Sequence, residues 1–417
     1  MLERGLILYS ARNAIDSAAA AAIQRIASSP LAWEKVVLTA SMHGVLPLVY
    51  RALKRLPDAT VPAEILDQLR RNYLANAAMS LSFTSEMLKI LGWLEAEHIK
   101  AIPFKGPTLA AAAYGHLTLR QFGDLDILIR KKDFERVRKL LLAGGYRPWR
   151  DLTDAEESEH LRSAHAYTFV RTDSPAKVDL HWKIAQQRYS FGLDLDSLWR
   201  RAGRVSLGGK EIPTLCAEDL VMVLCIHGTK HCWQRLGWIC DVAEVVRTNP
   251  EMNWDAVLAR AESWHALRAV LLGLDLAGNL LGAPLTERVR AAIDRDRRVR
   301  RVSFLFQRRL FARSHGMGPL ERAALFFMAR ERLRDKLPHL AYTVRQALAP
   351  NELDRNLLSL PEILYFLYYP LRVMRLTYAA VGRILAPLTV YRPETEDRKP
   401  ARTSGSSRTP GAETGEQ

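Results

Sequence analysis

The stretch RQFGDLDILIR, residues 120–130, places two aspartates one residue apart inside a run with the composition of a buried β-strand. Because successive side chains of a strand point to opposite faces, the apolar residues form one row and Asp124 and Asp126 share the other face. Two like charges this close repel, and each raises the pKa of the other unless a cation lies between them. The pattern predicts a divalent-metal site, and it predicts that Asp126→Asn leaves the stability of the metal-free protein unchanged or raises it.

Two further features belong to the same part of the chain. FKGPTLA, residues 104–110, predicts a strand, a turn at Gly106 and the start of a helix, where free backbone N–H groups can bind a phosphate. KVDLHW, residues 177–182, carries Asp179 inside another apolar β-run, which is costly unless the charge is paired or bound to metal. Three carboxylates on neighbouring strands predict a two-metal site that bridges phosphate oxygens. His181 points the same way as Asp179, either as a partner of a metal ligand or as a satisfied core histidine.

The whole chain has 417 residues, a formal charge of +15 and a pI near 9.8, so anionic partners such as nucleotides, nucleic acid and anionic membrane surfaces fit it. Its four cysteines all lie within residues 216–240, which favours reduced thiols over a disulfide framework. The N-terminus has no targeting pattern, and no uncharged apolar run reaches the roughly 18 residues that a membrane span needs. We therefore expect a cytoplasmic protein.

The distribution of patterns along the chain predicts an α+β fold, in which a small mixed β-sheet module is flanked by N-terminal and C-terminal α-helical domains. The expected divisions are a helical domain (1–97), the α/β module (98–212), a second helical domain (213–349), a C-terminal helical segment (350–392) and a disordered tail (393–417). The tail is expected to be disordered because it is polar, rich in Pro, Gly, Ser and Thr, and poor in large apolar residues.

The glycine turn, the Asp-x-Asp strand and the third strand aspartate together resemble the nucleotidyltransferase superfamily with the DNA polymerase β-like catalytic fold. FKGPTLAAAAYGHLTLRQFGDLDILI, VDLHW and LCIHGTKHCWQRLGWICDVAEVV are similar to a bacterial branch described as uncharacterised nucleotidyltransferases, over about residues 30–270. The wider superfamily usually has Gly-Ser or Gly-Gly at the turn, whereas here Pro107 follows Gly106.

This resemblance implies a metal-dependent enzyme that moves an NMP from an NTP to an unidentified hydroxyl acceptor and releases pyrophosphate. It implies that Asp124 and Asp126 bind Mg²⁺ or Mn²⁺, and that Asp179 completes the site and helps to deprotonate the acceptor. Lys105 and Gly106 at the turn, with Arg120 before the strand, are the expected nucleotide-binding residues.

Other interpretations remain open. The chain can be a catalytically inactive nucleotide-binding or regulatory protein, or a membrane-peripheral assembly factor that uses its basic helices and its aromatic C-terminal segment. His227 and His231 are spaced to share a helix face, which fits packing or a position beside the nucleotide better than zinc. Ten arginines in residues 288–313 make nucleic-acid binding possible but not favoured over a solvated helix face.

Overall fold

The protein is described from a computed structural model that covers residues 2–385 apart from 187, 188, 190, 313–317, 351 and 359. Two compact units are distinguished, Met1–Val344 and Arg345–Gln417. The expected disordered tail, 393–417, lies outside the described residues.

The N-terminal part consists of five helices: α1 (Leu2–Ser10), α2 (Ser17–Ala27), α3 (Trp33–Met42), α4 (Leu46–Leu53) and α5 (Ala63–Ala96). Local sequence explains several of their ends. Asp16 caps α2 by accepting a hydrogen bond from the backbone N–H of Ala19 at 2.7 Å. Between α3 and α4 the chain turns at Gly44, which has a φ of +69°.

A five-stranded mixed sheet follows, with the strand order β1-β2-β5-β4-β3. Its strands are β1 (Ala101–Pro103), β2 (Asp124–Ile129), β3 (Arg147–Pro148), β4 (Ala166–Arg171) and β5 (Ser174–His181). The connections contain the helices α6 (Pro107–Leu109), α7 (Phe134–Ala143), α8 (Asp154–Ser163) and α9 (Leu195–Arg200), and α6 continues as a π-helical turn over Ala110–Tyr114. A separate hairpin pairs β6 (Gly203–Leu207) with β7 (Lys210–Thr214).

The two faces of the sheet have different chemistry. The central strands β2 and β5 run parallel, whereas β1 and β4 are antiparallel to their neighbours. The apolar row of β2 that the sequence predicts is buried in one cluster with residues of β4, β5, α5 and α7. The opposite face carries Asp126, Asp179 and His181. Alternation along β2 and β5 therefore separates a hydrophobic core from a polar face.

Helices dominate again after β7. They are α10 (Ala217–Lys230), α11 (Leu236–Thr248), α12 (Trp254–Ser263), α13 (Leu267–Leu281), α14 (Glu287–Arg295), α15 (Arg297–Leu310), α16 (Pro319–Ala329) and α17 (Leu333–Leu348). A second buried cluster contains residues from α1 to α5 together with residues of α10 to α16. In the unit Arg345–Gln417, α18 (Glu352–Leu357) and α19 (Tyr368–Leu385) are linked by Asp354, which accepts a hydrogen bond from Arg375 Nε at 2.7 Å.

The architecture confirms the predicted α+β class, with helices on either side of a small mixed sheet. All four cysteines are free thiols, as the composition predicts. None of the helices in the described part of the chain is long and apolar enough to cross a membrane. The domain boundaries stay predictions.

Candidate active site

The pairing of β2 with β5 brings two of the three predicted carboxylates, Asp126 and Asp179, together. Asp126 and Asp179 are direct partners in the parallel register, and His181 follows two residues later on the same face. One ligand atom from each of these three residues lies within 4.8 Å of the other two. In the described part of the chain, this is the group of His, Cys, Asp or Glu residues whose geometry could hold a metal ion.

Asp126 is the most buried member of the group, with 4% of its surface exposed. Its Oδ1 lies 3.0 Å from Lys105 Nζ and 2.8 Å from His181 Nε2. Burial opposes ionisation, but the Lys105 ammonium and the His181 hydrogen bond outweigh it and keep the pKa of Asp126 well below its usual value. Its Oδ2 is buried and has no hydrogen-bond partner among the described residues.

Asp124 lies at the first position of β2, where part of its surface reaches solvent although protein surrounds most of it. Burial and then the negative charge of Asp126 raise the pKa of Asp124 to about 6, against the opposing effect of Lys105. Asp124 does not join the group of three, but it shares their face of the sheet at the solvent-exposed start of the strand. It therefore lies beside the group as a carboxylate whose charge Lys105 and Arg120 offset only in part.

Asp179 is anchored from the neighbouring strand β4. Thr168 is its antiparallel partner and donates a hydrogen bond from Oγ1 to Asp179 Oδ1 at 2.5 Å. Thr168 was not predictable as a site residue, because no local signal in the sequence connects a threonine to an aspartate on another strand. This bond fixes the orientation of one carboxylate oxygen.

The turn before α6 lies against the carboxylate strand. Gly106 has a φ of +58°, a conformation that residues with a side chain rarely adopt, so this turn favours glycine. A Cβ at this position would lie 3.3 Å from the backbone carbonyl oxygen of Asp124. The turn also places Lys105 so that its ammonium reaches Asp126. Phosphate binding by Lys105 and Gly106 stays a prediction.

The structure places Arg120 in a buried ion pair with α11. Its Nε and Nη2 donate to the two carboxylate oxygens of Asp241 at 2.8 and 2.9 Å, and Tyr114 also donates to Asp241 Oδ1 at 2.8 Å. Burial alone would lower the pKa of Arg120, but the Asp241 carboxylate raises it. Arg120 thus joins the sheet module to a helix, and its predicted role in nucleotide binding stays a prediction.

The signal for Asp241 was present in the sequence. Like Asp179, it is a carboxylate inside an apolar run, GWICDVAEVV, and burial there demands a partner. The partner could not be read from the sequence because Arg120 lies 121 residues earlier.

His227 and His231 form an aromatic cluster with Trp238. The two imidazole centroids are 4.6 Å apart, and the Trp238 indole lies 5.4 Å from His227 and 5.2 Å from His231. Burial, followed by the charge of Lys105, lowers the pKa of His227 well below its usual value. The two imidazoles pack against Trp238, and their position beside a bound nucleotide stays a prediction.

A divalent metal fits the chemistry of the group. Asp126, Asp179 and His181 offer two carboxylates and an imidazole, a donor set that suits Mg²⁺ through its oxygens and Mn²⁺ through all three residues. The buried, unpartnered Oδ2 of Asp126 is the atom that most needs a cation. Lys105 and His181 already compensate part of the charge of Asp126, so a metal is not the only group that neutralises it.

Two cavities have volumes of about 390 Å³ each, and the second of them borders the candidate site. The first lies among α3, α5, α11 and the loop 120–123, and its lining includes Arg120, Arg235 and Trp238. The second lies beside β4 and β5, and Asp179 and His181 form part of its lining.

The fold and this group of side chains define an α+β protein with a candidate divalent-metal site on the polar face of a mixed sheet. Comparison with protein families matches residues 29–282 to the family described as uncharacterised nucleotidyltransferase. The chain belongs to this family. No curated protein matches the chain.

Proposed function

We propose that the protein is a metal-dependent nucleotidyltransferase that moves an NMP from an NTP to a hydroxyl acceptor. The observation that carries this proposal is the convergence of Asp126, Asp179 and His181 within 4.8 Å on one sheet face, in a chain of a nucleotidyltransferase family. The proposed cofactor is Mg²⁺ or Mn²⁺, held by these three residues with Asp124 beside them.

The reaction is an in-line displacement at the α-phosphorus. A bond forms between the acceptor oxygen and the α-phosphorus, the bond from that phosphorus to the oxygen bridging to the β-phosphate breaks, and pyrophosphate leaves with the electron pair. A bound divalent cation supplies charge neutralisation for the phosphate oxygens. Asp179, with one oxygen fixed by Thr168, receives the hydroxyl proton.

The Lys105 ammonium is the group that we expect to bind the triphosphate. It lies in the turn next to β2, is 12% exposed, and forms an ion pair with Asp126. A metal held by Asp126 would share the negative charge of this carboxylate, and the Lys105 ammonium would then be able to neutralise a phosphate oxygen.

A direct test uses α-³²P-labelled NTPs with each of the four bases, in Mg²⁺ or in Mn²⁺. We expect pyrophosphate release and transfer of label to an acceptor in lysate fractions, and loss of both in Asp126→Asn. Asp173→Asn is the matched control, because it removes a carboxylate of the same module from the exposed β4–β5 turn. Full activity of Asp126→Asn would disprove the proposal.

A catalytically inactive nucleotide-binding protein is the second candidate. Lys105 and His181 compensate Asp126 without any metal, as they would in a site that has lost its reaction. Calorimetric binding of an NTP, with no pyrophosphate release under any of the conditions above, would favour this candidate. The cytoplasmic location and a peripheral contact with membranes or nucleic acid remain predictions from the sequence.

A further inference from the structure

The cavity beside β4 and β5 lies on one side of the candidate metal site. The strand order β1-β2-β5-β4-β3 puts the Lys105–Gly106 turn beside β1 and β2. The cavity is lined by residues of β4, β5 and the segment 149–166, including Asp179 and His181 but neither Lys105 nor Asp126. The turn and the cavity therefore approach the metal site from opposite edges of the sheet.

The geometry of the reaction assigns different substrates to these two sides. In-line displacement requires the attacking oxygen and the leaving oxygen to lie on opposite sides of the phosphorus. If the triphosphate lies at the Lys105–Gly106 turn, the attacking hydroxyl must enter from the side of Asp179. The cavity that Asp179 lines is on that side.

The volume of the cavity indicates the size of ligand that fits it. About 390 Å³ is at the small end of the range for ligand sites, so it accommodates a small molecule or a single unit at the end of a polymer. Trp149, which is 53% exposed, supplies an aromatic surface, and Thr168 and Gln186 supply polar groups.

The charge of the lining indicates which class of small molecule fits. Among the described lining residues, Asp179 is the one carboxylate, and the proposed metal would neutralise it. Arg150 lines the cavity and is exposed, and Lys177 lies with its Nζ 4.1 Å from the ring centroid of Trp149. Neither cation has a carboxylate within salt-bridge distance in the described part of the chain. Lys177 does not itself line the cavity, but it contacts the ring of the lining residue Trp149 and is on the same sheet face as Asp179, two residues earlier on β5.

We propose that this cavity binds the acceptor, and that the acceptor is a small hydroxyl compound with a phosphate or carboxylate group that Arg150 and Lys177 recognise. This inference rests on the proposed function and adds the class of acceptor to it. The anionic group lies at the mouth of the cavity, and the hydroxyl group reaches inward to Asp179.

The test compares three acceptors that share a carbon skeleton: glycerol, glycerol 3-phosphate and glycerate. With labelled NTP, we expect kcat/KM to be at least about tenfold higher for an anionic acceptor than for glycerol, equivalent to roughly 1.4 kcal/mol. Comparing glycerol 3-phosphate with glycerate shows which of the two anionic groups, phosphate or carboxylate, the cavity prefers. The preference should largely disappear in the double variant Arg150→Gln/Lys177→Gln.

Arg147→Gln is the matched control, because Arg147 is an exposed arginine three residues before Arg150 that does not line the cavity. It should keep the wild-type preference. Equal use of glycerol and the anionic acceptors by the wild type, or an unchanged preference in the double variant, would overturn the inference.

A binding measurement separates this inference from the proposed function. Calorimetric titration of glycerol 3-phosphate and of glycerate into protein without nucleotide requires no catalysis. If no NTP releases pyrophosphate, the proposed function fails, and the cavity is judged by binding alone. Binding to the wild type that is lost in the double variant supports an anion-recognising cavity, whereas absence of binding to the wild type overturns it.

Discussion

At the scale of single residues, Asp124 and Asp126 share a strand face but differ in how well neighbouring groups stabilise their negative charges. Asp126 has Lys105 and His181 as partners, whereas the pKa of Asp124 is raised to about 6 by burial and by the charge of Asp126. Mutual repulsion alone predicts that asparagine at either position stabilises the metal-free protein. The contacts of Asp126 reverse that expectation for this residue.

We predict opposite effects of Asp124→Asn and Asp126→Asn on stability at pH 7 in EDTA. Asp126→Asn leaves Lys105 without its anion and should lower the free energy of unfolding by about 1–3 kcal/mol. Asp124→Asn removes a charge that burial and Asp126 disfavour, and it should leave the urea midpoint unchanged or raise it. Shifts of the same sign in both variants would show that the Lys105 contact does not decide the difference.

Gly106 allows a second prediction for a single residue. Gly106→Ala must adopt a φ of +58° with ψ of −130°, and its Cβ must approach the Asp124 carbonyl oxygen. The expected cost is about 1–3 kcal/mol of stability, together with weaker NTP binding as β2 is displaced.

Gly115→Ala isolates the backbone contribution to that cost. Gly115 has a φ of +68°, and no atom lies within 4 Å of the position that an alanine Cβ would occupy. The Gly115→Ala variant should lose about 1 kcal/mol of stability without any change in NTP affinity. If both alanine variants lose the same stability and bind NTP equally, the close approach to Asp124 has no consequence.

At the scale of secondary-structure elements, Arg120 and Asp241 join the segment before β2 to α11. Arg120 is 11% exposed and Asp241 is 4% exposed at their side chains. We predict that Asp241→Asn destabilises the protein by about 3–5 kcal/mol, because it leaves a buried guanidinium without its anion. A double-mutant cycle with Arg120→Met should give a coupling energy of at least about 1 kcal/mol.

The exposed pair Arg162–Glu159 on α8 is a suitable control for this cycle. Its side chains are 70% and 65% exposed, so its coupling energy should be close to zero. A near-zero value for Arg120 and Asp241 as well would mean that the pair does not hold these elements together.

The elements that follow from local pattern were predictable from the sequence. The alternation in residues 124–129 gives β2, and Pro107 and Gly144 mark the start of α6 and the end of α7. The carboxylates Asp126 and Asp179 could also be selected, because a charge inside an apolar strand needs a partner.

Contacts between distant segments were not predictable. Nothing local to His181 shows that its imidazole bonds Asp126, 55 residues earlier. The pairing of Arg120 with Asp241 depends on how α11 packs against the π-helical turn. These contacts arise only when the whole chain packs. A single sequence therefore identifies the charged residues that need partners, but not which residues those partners are.

At the scale of the whole molecule, the N-terminal helices and the helices after β7 share one buried cluster. His43, at the end of α3, illustrates the connection, because its Nδ1 accepts a hydrogen bond from the backbone N–H of Leu236 in α11 at 3.3 Å. The ring also lies 5.0 Å from that of Phe311. A proton on Nδ1 would break this contact between α3 and α11.

The last prediction concerns the pH dependence of this contact. Burial, and then the charge of Arg235, lower the pKa of His43 to about 4, whereas an unfolded histidine has a pKa near 6.5. The unfolded chain therefore binds more protons between pH 6.5 and 4. The stability contributed by neutral His43 is complete above about pH 6.5 and is lost as the pH falls.

Between pH 7 and pH 5.5 this loss amounts to about 1 kcal/mol for one such group. His43→Asn keeps an acceptor near the Leu236 N–H and removes the titration, so its urea midpoint should fall less over this range than that of the wild type. His116→Asn, at an exposed histidine, should show the same pH dependence as the wild type. If His43→Asn also follows the wild-type curve, protonation of His43 does not limit stability, and the link between α3 and α11 must depend on apolar packing instead.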